Sequence, residues 1–285
     1  MNEKAIGRVL KKWLDSESVR REDLFITTKL PPPGNRAACV EKCLTKSLDD
    51  LQLSYVDMYL IHTPFGVPET DGDFQRHANG DIVLDLETNH IETWKKMEDM
   101  VKAGLTKSIG VSNFNKNQIQ RLIDNSTIKP SNVQVEVHVY LQQDDLINFC
   151  KEEGIIVTAY APLGSKGIEN LNKMAGYERE IPNILDNSVV GGIANRLGIT
   201  PAQVLLKWIL ERGVAAIPKS TNPTRLRQNL DIFEFSLTEE DMKVLKGLEK
   251  GIRVCDFGFF KGFQLGIHTT LAKYKLGNNF LTFFS

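Results

Sequence analysis

At the ends of its apolar runs this sequence repeatedly places a residue that can donate, accept or carry charge. Lys29 follows LFITT, His62 follows VDMYLI, and Ser112 with Asn113 follows TKSIGV. Gln134 lies within NVQVE, Tyr160 ends GIIVTAY, and Lys219 with Ser220 follows VAAIP. Ligands of α/β folds bind beyond the carboxyl ends of the strands, so cations, amides, hydroxyls and an imidazole gathered there would make a polar ligand site. Each residue also has a plain structural role open to it. Lys29 would serve as a solvated surface lysine, His62 as a satisfied core residue, Tyr160 as a cap on the core and Gln134 as a bridge between strands. Two features favour the ligand-site reading. Lys29 continues the alternation Phe25, Thr27, Lys29, which gives the three a common, inward face, and Thr63-Pro64 ends the strand directly after His62.

The elements that must carry these residues are short β-branched runs alternating with longer helical ones, the pattern of a parallel sheet with helical crossovers. Six candidate strands are present: Leu24 to Thr28, Val56 to Ile61, Thr106 to Val111, Asn132 to Glu136, Gly154 to Tyr160 and Val214 to Pro218. The first helix starts almost at once, with Ile6, Val9, Leu10, Trp13 and Leu14 forming a core-facing stripe. Val40, Cys43, Leu44, Ser47, Leu48 and Leu51 mark a second. A helix through Val189 to Leu197 closes at Gly198, and Thr200-Pro201 starts another as cap and first residue. Thr238 to Asp241 reads as a capping box with Leu237 and Met242 as its staple. The irregular stretches 63–89 and 161–187 are longer than ordinary βα loops. No linker or repeat divides the chain, which reads as one domain.

No G-x-G-x-x-G follows the first strand, so a doubly wound dinucleotide fold is disfavoured against a barrel with its site at the βα ends. A closed barrel of this kind needs eight strands. On the fold alone, Lys29 could also be a Schiff-base lysine in an aldolase-like barrel.

Composition narrows the function classes. The chain has 285 residues, 41% of them hydrophobic, and a net charge of −1, which argues against a basic nucleic-acid binder. It contains no long uninterrupted apolar run and no apolar segment at its start, so it reads as a cytoplasmic chain with no membrane partner. Cys39, Cys43, Cys150 and Cys255 form no C-x-x-C and read as buried thiols.

The runs DLFITTKL, YVDMYLIHTPF, KSIGVSNFN, VQVEVHVYLQQ, VTAYAPLGS and AIPKSTNPTRLRQN closely resemble, in order and spacing, the aldo-keto reductases over residues 2 to 257. The resemblance implies a (β/α)₈ barrel that moves a hydride between NADPH and a small aldehyde or ketone, with no metal. Carried over residue by residue, His62 would orient the substrate carbonyl and Lys29 would lower the pKa of a catalytic tyrosine. Ser112, Asn113 and Gln134 would hold the nicotinamide carboxamide and Tyr160 would stack on its ring. Leu163 and Ser165 match pyrophosphate contacts, with Ala161 in place of the more usual serine. Lys219, Ser220, Thr221, Asn222, Arg225, Gln228 and Asn229 resemble the adenosine end. A cation and a guanidinium fork suit a ribose 2′-phosphate, so NADPH is expected over NADH.

The resemblance also sets expectations at both ends. The family's catalytic tyrosine falls where Met1 stands, and its aspartate partner a few residues earlier. The barrel is therefore expected to lack about its first two βα units, roughly 60 residues at ~30 per unit. Residues 1–257 are expected to form the oxidoreductase barrel, and 258–285 a divergent Phe-rich tail. The alternative is a catalytically impaired NADPH-binding or structural variant of the same scaffold.

Overall fold

The computed structural model describes residues 2–70, 73–78, 80–165, 167–174, 180–255, 274–276 and 279–281. The chain's contacts gather into two compact units, Met1–Val133 and Gln134–Ser285.

In the first unit α1 (Glu3–Asp15), β1 (Thr27–Leu30), α2 (Val40–Leu51), β2 (Val56–Ile61), α3 (His90–Lys102), β3 (Thr106–Ser112) and α4 (Lys116–Asp124) follow in order. The three strands lie side by side and parallel, with β2 in the middle. Every residue of β2 is buried, as the near-continuous apolar run VDMYLI requires of a strand covered on both faces. Asp57, its one charge, is satisfied where it stands. Burial pushes its carboxyl up, but the Ile26 N–H, Lys107 and Arg21 outweigh that and hold it below the usual range.

That carboxylate also moves the first strand. The sequence places it over Leu24 to Thr28, yet the ladder begins at Thr27, because the Ile26 N–H goes to the Asp57 side chain at 2.9 Å. Lys29 consequently sits inside β1, and Phe25 and Thr27 are exposed where an inward face is expected. Helix α1 forms as its periodicity predicts, but its apolar stripe is covered only in part: Leu10 and Leu14 are half-buried, while Ile6, Val9 and Trp13 are 40%, 56% and 51% exposed. The helix docks through the side that carries Gly7. At Gly7 a Cβ would lie 2.3 Å from the Asp50 carbonyl oxygen, so only glycine allows this approach to α2. One turn earlier, Glu3 accepts hydrogen bonds from Thr28 and Ser47.

Strand β4 (Asn132–Glu136) straddles the division between the units. Beyond it come α5 (Asp144–Glu152), β5 (Ile156–Tyr160), α6 (Ile168–Met174), α7 (Ser188–Leu197), α8 (Pro201–Glu211), β6 (Ala215–Ala216), α9 (Pro223–Leu230) and α10 (Glu239–Lys246). Strands β5 and β6 pair in parallel. The helix ends fall where the sequence signals them. Gly198 closes α7 at φ 68°, Thr200 caps α8 by accepting from the Gln203 N–H, and Thr238 with Asp241 completes a capping box on α10. The stretch 161–187 contains α6, and the stretch 63–89 is tied by short bridges at Gly66–Asp85 and Arg76–Ile82.

Only Cys150 is a buried thiol, with burial pushing its pKa up to about 12; Cys39, Cys43 and Cys255 are half-buried. The 258–285 tail lies mostly outside the described residues, which include β7 (Tyr274–Leu276) and β8 (Asn279–Leu281), an antiparallel pair. Among the described residues no single helix is long and apolar enough to cross a membrane.

Candidate functional site

Register decides which side chains meet in the first unit. Lys29 is level with Leu60, and Leu60 with Gly110. Side chains two apart on a strand share a face, so Lys29, His62 and Ser112 project from the same side of three adjacent strands, toward their carboxyl ends. The ladder extends past β2, because the His62 N–H donates to the Leu30 carbonyl at 3.1 Å. Gly110 lies in the middle of this group. A Cβ there would come within 2.8 Å of the Leu60 side chain and 2.3 Å of the Asn132 carbonyl oxygen.

Asn113 leaves β3 with φ 65°, in the left-handed region where asparagine is the best tolerated non-glycine residue. The turn brings its amide back over the strand ends. Nδ2 donates to the His62 carbonyl at 2.9 Å and to Ser112 Oγ at 3.2 Å, tying three of the predicted site residues together. Just beyond His62 the chain is held by Asn35, a buried residue with no part in the sequence-based site. Its Nδ2 donates to the carbonyls of Thr63 and Phe65, and its own carbonyl accepts from Thr93 Oγ1. Asn35 lies at the end of PPPGN, and its partners are 28 to 58 positions away, out of reach of local pattern.

Burial sets the charges here. It lowers the pKa of the Lys29 ammonium, and lowers that of His62 to about 4, with the nearby Lys29 charge adding to the effect. At neutral pH His62 is therefore an uncharged imidazole that can donate one hydrogen bond. The tyrosines of this unit are committed elsewhere. Tyr59 alternates to the opposite face and donates to the Val40 carbonyl, and Tyr55 stands between Arg21 and Lys107 before β2 begins.

In the second unit Gln134 is buried on β4 and Tyr160 is half-buried at the end of β5, where its carbonyl accepts from the Val137 N–H. The loop that follows bends sharply, with Ala161, Gly164 and Ser165 all at positive φ. Gly164 closes the turn by donating to the Ala161 carbonyl at 2.9 Å. Leu163 is half-buried and Ser165 exposed. Such left-handed backbone is costly outside glycine and clusters at ligand sites.

The remaining predicted residues surround the start of α9. Asn222 caps it by accepting from the Arg225 N–H, and Ser220 Oγ accepts from the Asn222 N–H. Lys219, Thr221, Asn222 and Arg225 are exposed, Gln228 is half-buried and Asn229 buried. Neither Lys219 nor Arg225 has a carboxylate partner among the described residues, which leaves both cations free for an anion at a helix N-terminus. This donor set fits a phosphate.

One cluster in this unit escapes the sequence reading. Glu136 and His138 are both fully buried and bond to each other at 2.9 Å, and the chain at Val254 and Cys255 closes onto Glu136. A glutamate inside an apolar strand was the available signal.

Alternating parallel strands and helices with polar groups at the strand exits define an α/β fold, and comparison with known proteins agrees. The sequence profile of the Aldo/keto reductase family matches residues 1–250. The chain is 41% identical over 253 residues to aldo-keto reductase family 1 member A1 of Xenopus tropicalis, covering 88% of this chain and 75% of that protein. It is 39% identical over 262 residues to estradiol 17 beta-dehydrogenase 5 of Mus musculus, covering 91% of this chain and 79% of that protein. Among solved structures, the aldose reductase of Schistosoma japonicum superposes with a TM-score of 0.83 at 39% identity, over 92% of this chain and 81% of that one. The chain belongs to the aldo/keto reductase family and is an oxidoreductase of carbonyl compounds; the six-stranded parallel sheet of its described residues, order β1-β2-β3-β4-β5-β6, is consistent with the family's (β/α)₈ barrel.

Proposed function

We propose that this protein reduces small aldehydes or ketones with NADPH, using Lys29 and His62 at the substrate carbonyl. The observation that carries this reading is the placement of a neutral His62 beside a half-buried Lys29 on one face of adjacent parallel strands. An uncharged imidazole N–H can hydrogen-bond a carbonyl oxygen and fix its orientation without surrendering its proton. The Lys29 ammonium, little solvated, adds a positive field where negative charge develops on that oxygen. NADPH, when bound, supplies the hydride.

Ser112, Asn113 and Gln134 are assigned to the nicotinamide carboxamide, Tyr160 to its ring, and Leu163 and Ser165 to the pyrophosphate. Lys219, Ser220, Thr221, Asn222, Arg225, Gln228 and Asn229 are assigned to the adenosine 2′-phosphate end. We assign the activity to a barrel over residues 1–257 and to the cytoplasm, with 258–285 a divergent Phe-rich tail.

A second reading, NADPH binding with impaired turnover, is favoured by the placement of Tyr55 and Tyr59: Tyr55 stands before β2 between Arg21 and Lys107, and the Tyr59 hydroxyl donates to the Val40 carbonyl on the opposite face. Neither can protonate a carbonyl beside His62, and a general acid is worth ~10²–10⁴-fold in rate. Titration with NADPH, followed by tryptophan fluorescence with NADH as control, tests the cofactor assignment. Saturable quenching with NADPH preferred is expected, and no quenching by either would overturn it. Turnover of a simple aldehyde by the same sample then separates the two readings.

A further inference from the structure

A carboxylate with no solvent contact must have both oxygens hydrogen-bonded from within the protein, or its burial is prohibitive. Glu136 meets this requirement in an unusual way. One oxygen accepts from the Val254 N–H and from His138 Nε2 at 2.9 Å; the other accepts from the Cys255 N–H at 2.8 Å. His138 is locked in turn, because its Nδ1 accepts the Tyr140 N–H at 3.2 Å and so leaves the ring proton on Nε2, pointing at Glu136. Two of the three donors are backbone groups of a segment 118 and 119 positions downstream.

The start of that segment is held separately. The Tyr140 carbonyl accepts the N–H groups of Lys250 and Ile252, and the Lys250 ammonium lies 4.1 Å from the centre of the Tyr140 ring. Beyond it, Glu136, Cys255 and Arg253 all come close enough to the Tyr160 hydroxyl to act on it electrostatically, the first two favouring its neutral form and the Arg253 guanidinium its ionised form. The bonds from Glu136 to the backbone at 254 and 255 therefore fix where Arg253 stands beside the Tyr160 hydroxyl.

We infer that Glu136, oriented by His138, is a positioning residue that fixes the 253–255 segment so that Arg253 holds the Tyr160 ring in place. The assignment of the ring to the nicotinamide rests on the proposed function; the fastening of the segment does not. In Glu136→Gln one acceptor oxygen becomes an NH₂ group, which must face a backbone N–H or the Nε2–H of His138. At least one of the three bonds becomes a donor–donor clash, and the segment is released.

The test uses the full chain. In the unmodified protein the amide hydrogens of Val254 and Cys255 are expected to exchange slowly with deuterium, although they lie near the chain's last described barrel residues. Exchange as fast as in an open loop would overturn the inference with no variant needed. In Glu136→Gln the Cys255 thiol should be alkylated by a maleimide about tenfold faster or more, while buried Cys150 keeps its rate. A purely global loosening would speed both, and an unchanged Cys255 rate would count against the clasp. If the unmodified chain binds NADPH, the variant should bind it about tenfold more weakly. Equal affinity with faster alkylation would retain the clasp and remove its link to the ring. Absence of NADPH binding by the unmodified chain would sink the cofactor reading and leave the exchange and alkylation results to decide the clasp.

Discussion

Arg225 illustrates how a side chain in open water can still matter. It is exposed at the first turn of α9, without a carboxylate partner among the described residues, so it adds nothing through ion pairing to the fold. Its value lies in the anion it can meet. A charge-assisted hydrogen bond contributes about 1.5–3 kcal/mol, so Arg225→Ala should weaken NADPH binding by about tenfold to a hundredfold. NADH, which lacks the 2′-phosphate, should bind the variant and the original chain alike. Parallel titrations of both nucleotides measure this directly, and an equal loss for the two would remove Arg225 from the phosphate. Asn113 makes the complementary case at the carbonyl end. Its amide is spent on the His62 carbonyl and on Ser112, so it acts by holding the strand exits together as well as by any contact to a ligand.

At the scale of elements, glycine tells apart the places where backbone must meet backbone and the places where it merely lacks a side chain. A methyl group at Gly110 would have to fit 2.3 Å from the Asn132 carbonyl oxygen, a backbone atom that cannot swing aside. Gly110→Ala should cost about 1–3 kcal/mol, as overpacking does, and lower the melting temperature by several degrees. Gly191, inside α7, has no atom within 4 Å of its would-be Cβ, so Gly191→Ala should stabilise by about 0.5–1 kcal/mol. A thermal melt in which the two variants shift in the same direction would contradict this account. The same distinction explains what was legible in the sequence. Strand β2, the helix caps at Thr200 and Thr238, and the strand exits at His62, Ser112 and Asn113 rest on local rules of burial and capping, and the sequence pattern finds them. The start of β1 and the docking face of α1 depend on Asp57 and Gly7, whose partners come from other elements. The partners of Asn35 and Glu136 were not legible for the same reason: each acts on residues dozens of positions away.

For the molecule as a whole, the two half-buried imidazoles of His62 and His90 decide how it meets acid. His62 and His90 both have pKa values lowered from the ordinary 6.5 to about 4, in each case first by burial, with Lys29 and Arg121 adding to the respective shifts. For His90, the Nε2 atom is buried without a hydrogen-bond partner, so a second ring proton would place a charge there unanswered. The unfolded chain takes up these two protons near pH 6.5 while the folded chain refuses them until about pH 4. Between those values the unfolded state binds more protons, and stability must fall as pH falls. The paired carboxylates act lower down. Asp57, Asp85 and Asp241 have pKa values held below 3.8, so the stability they confer is lost only as pH drops through those depressed values. Acid destabilisation should therefore begin in the histidine window, well above the carboxylate range. Urea midpoints should be level above about pH 7 and decline from about pH 6 to 4.5, and His62→Gln combined with His90→Gln should flatten that decline. Ordinary imidazole titration near pH 6.5 in the folded protein, read by NMR, would show that neither ring is shielded and that the decline has another source.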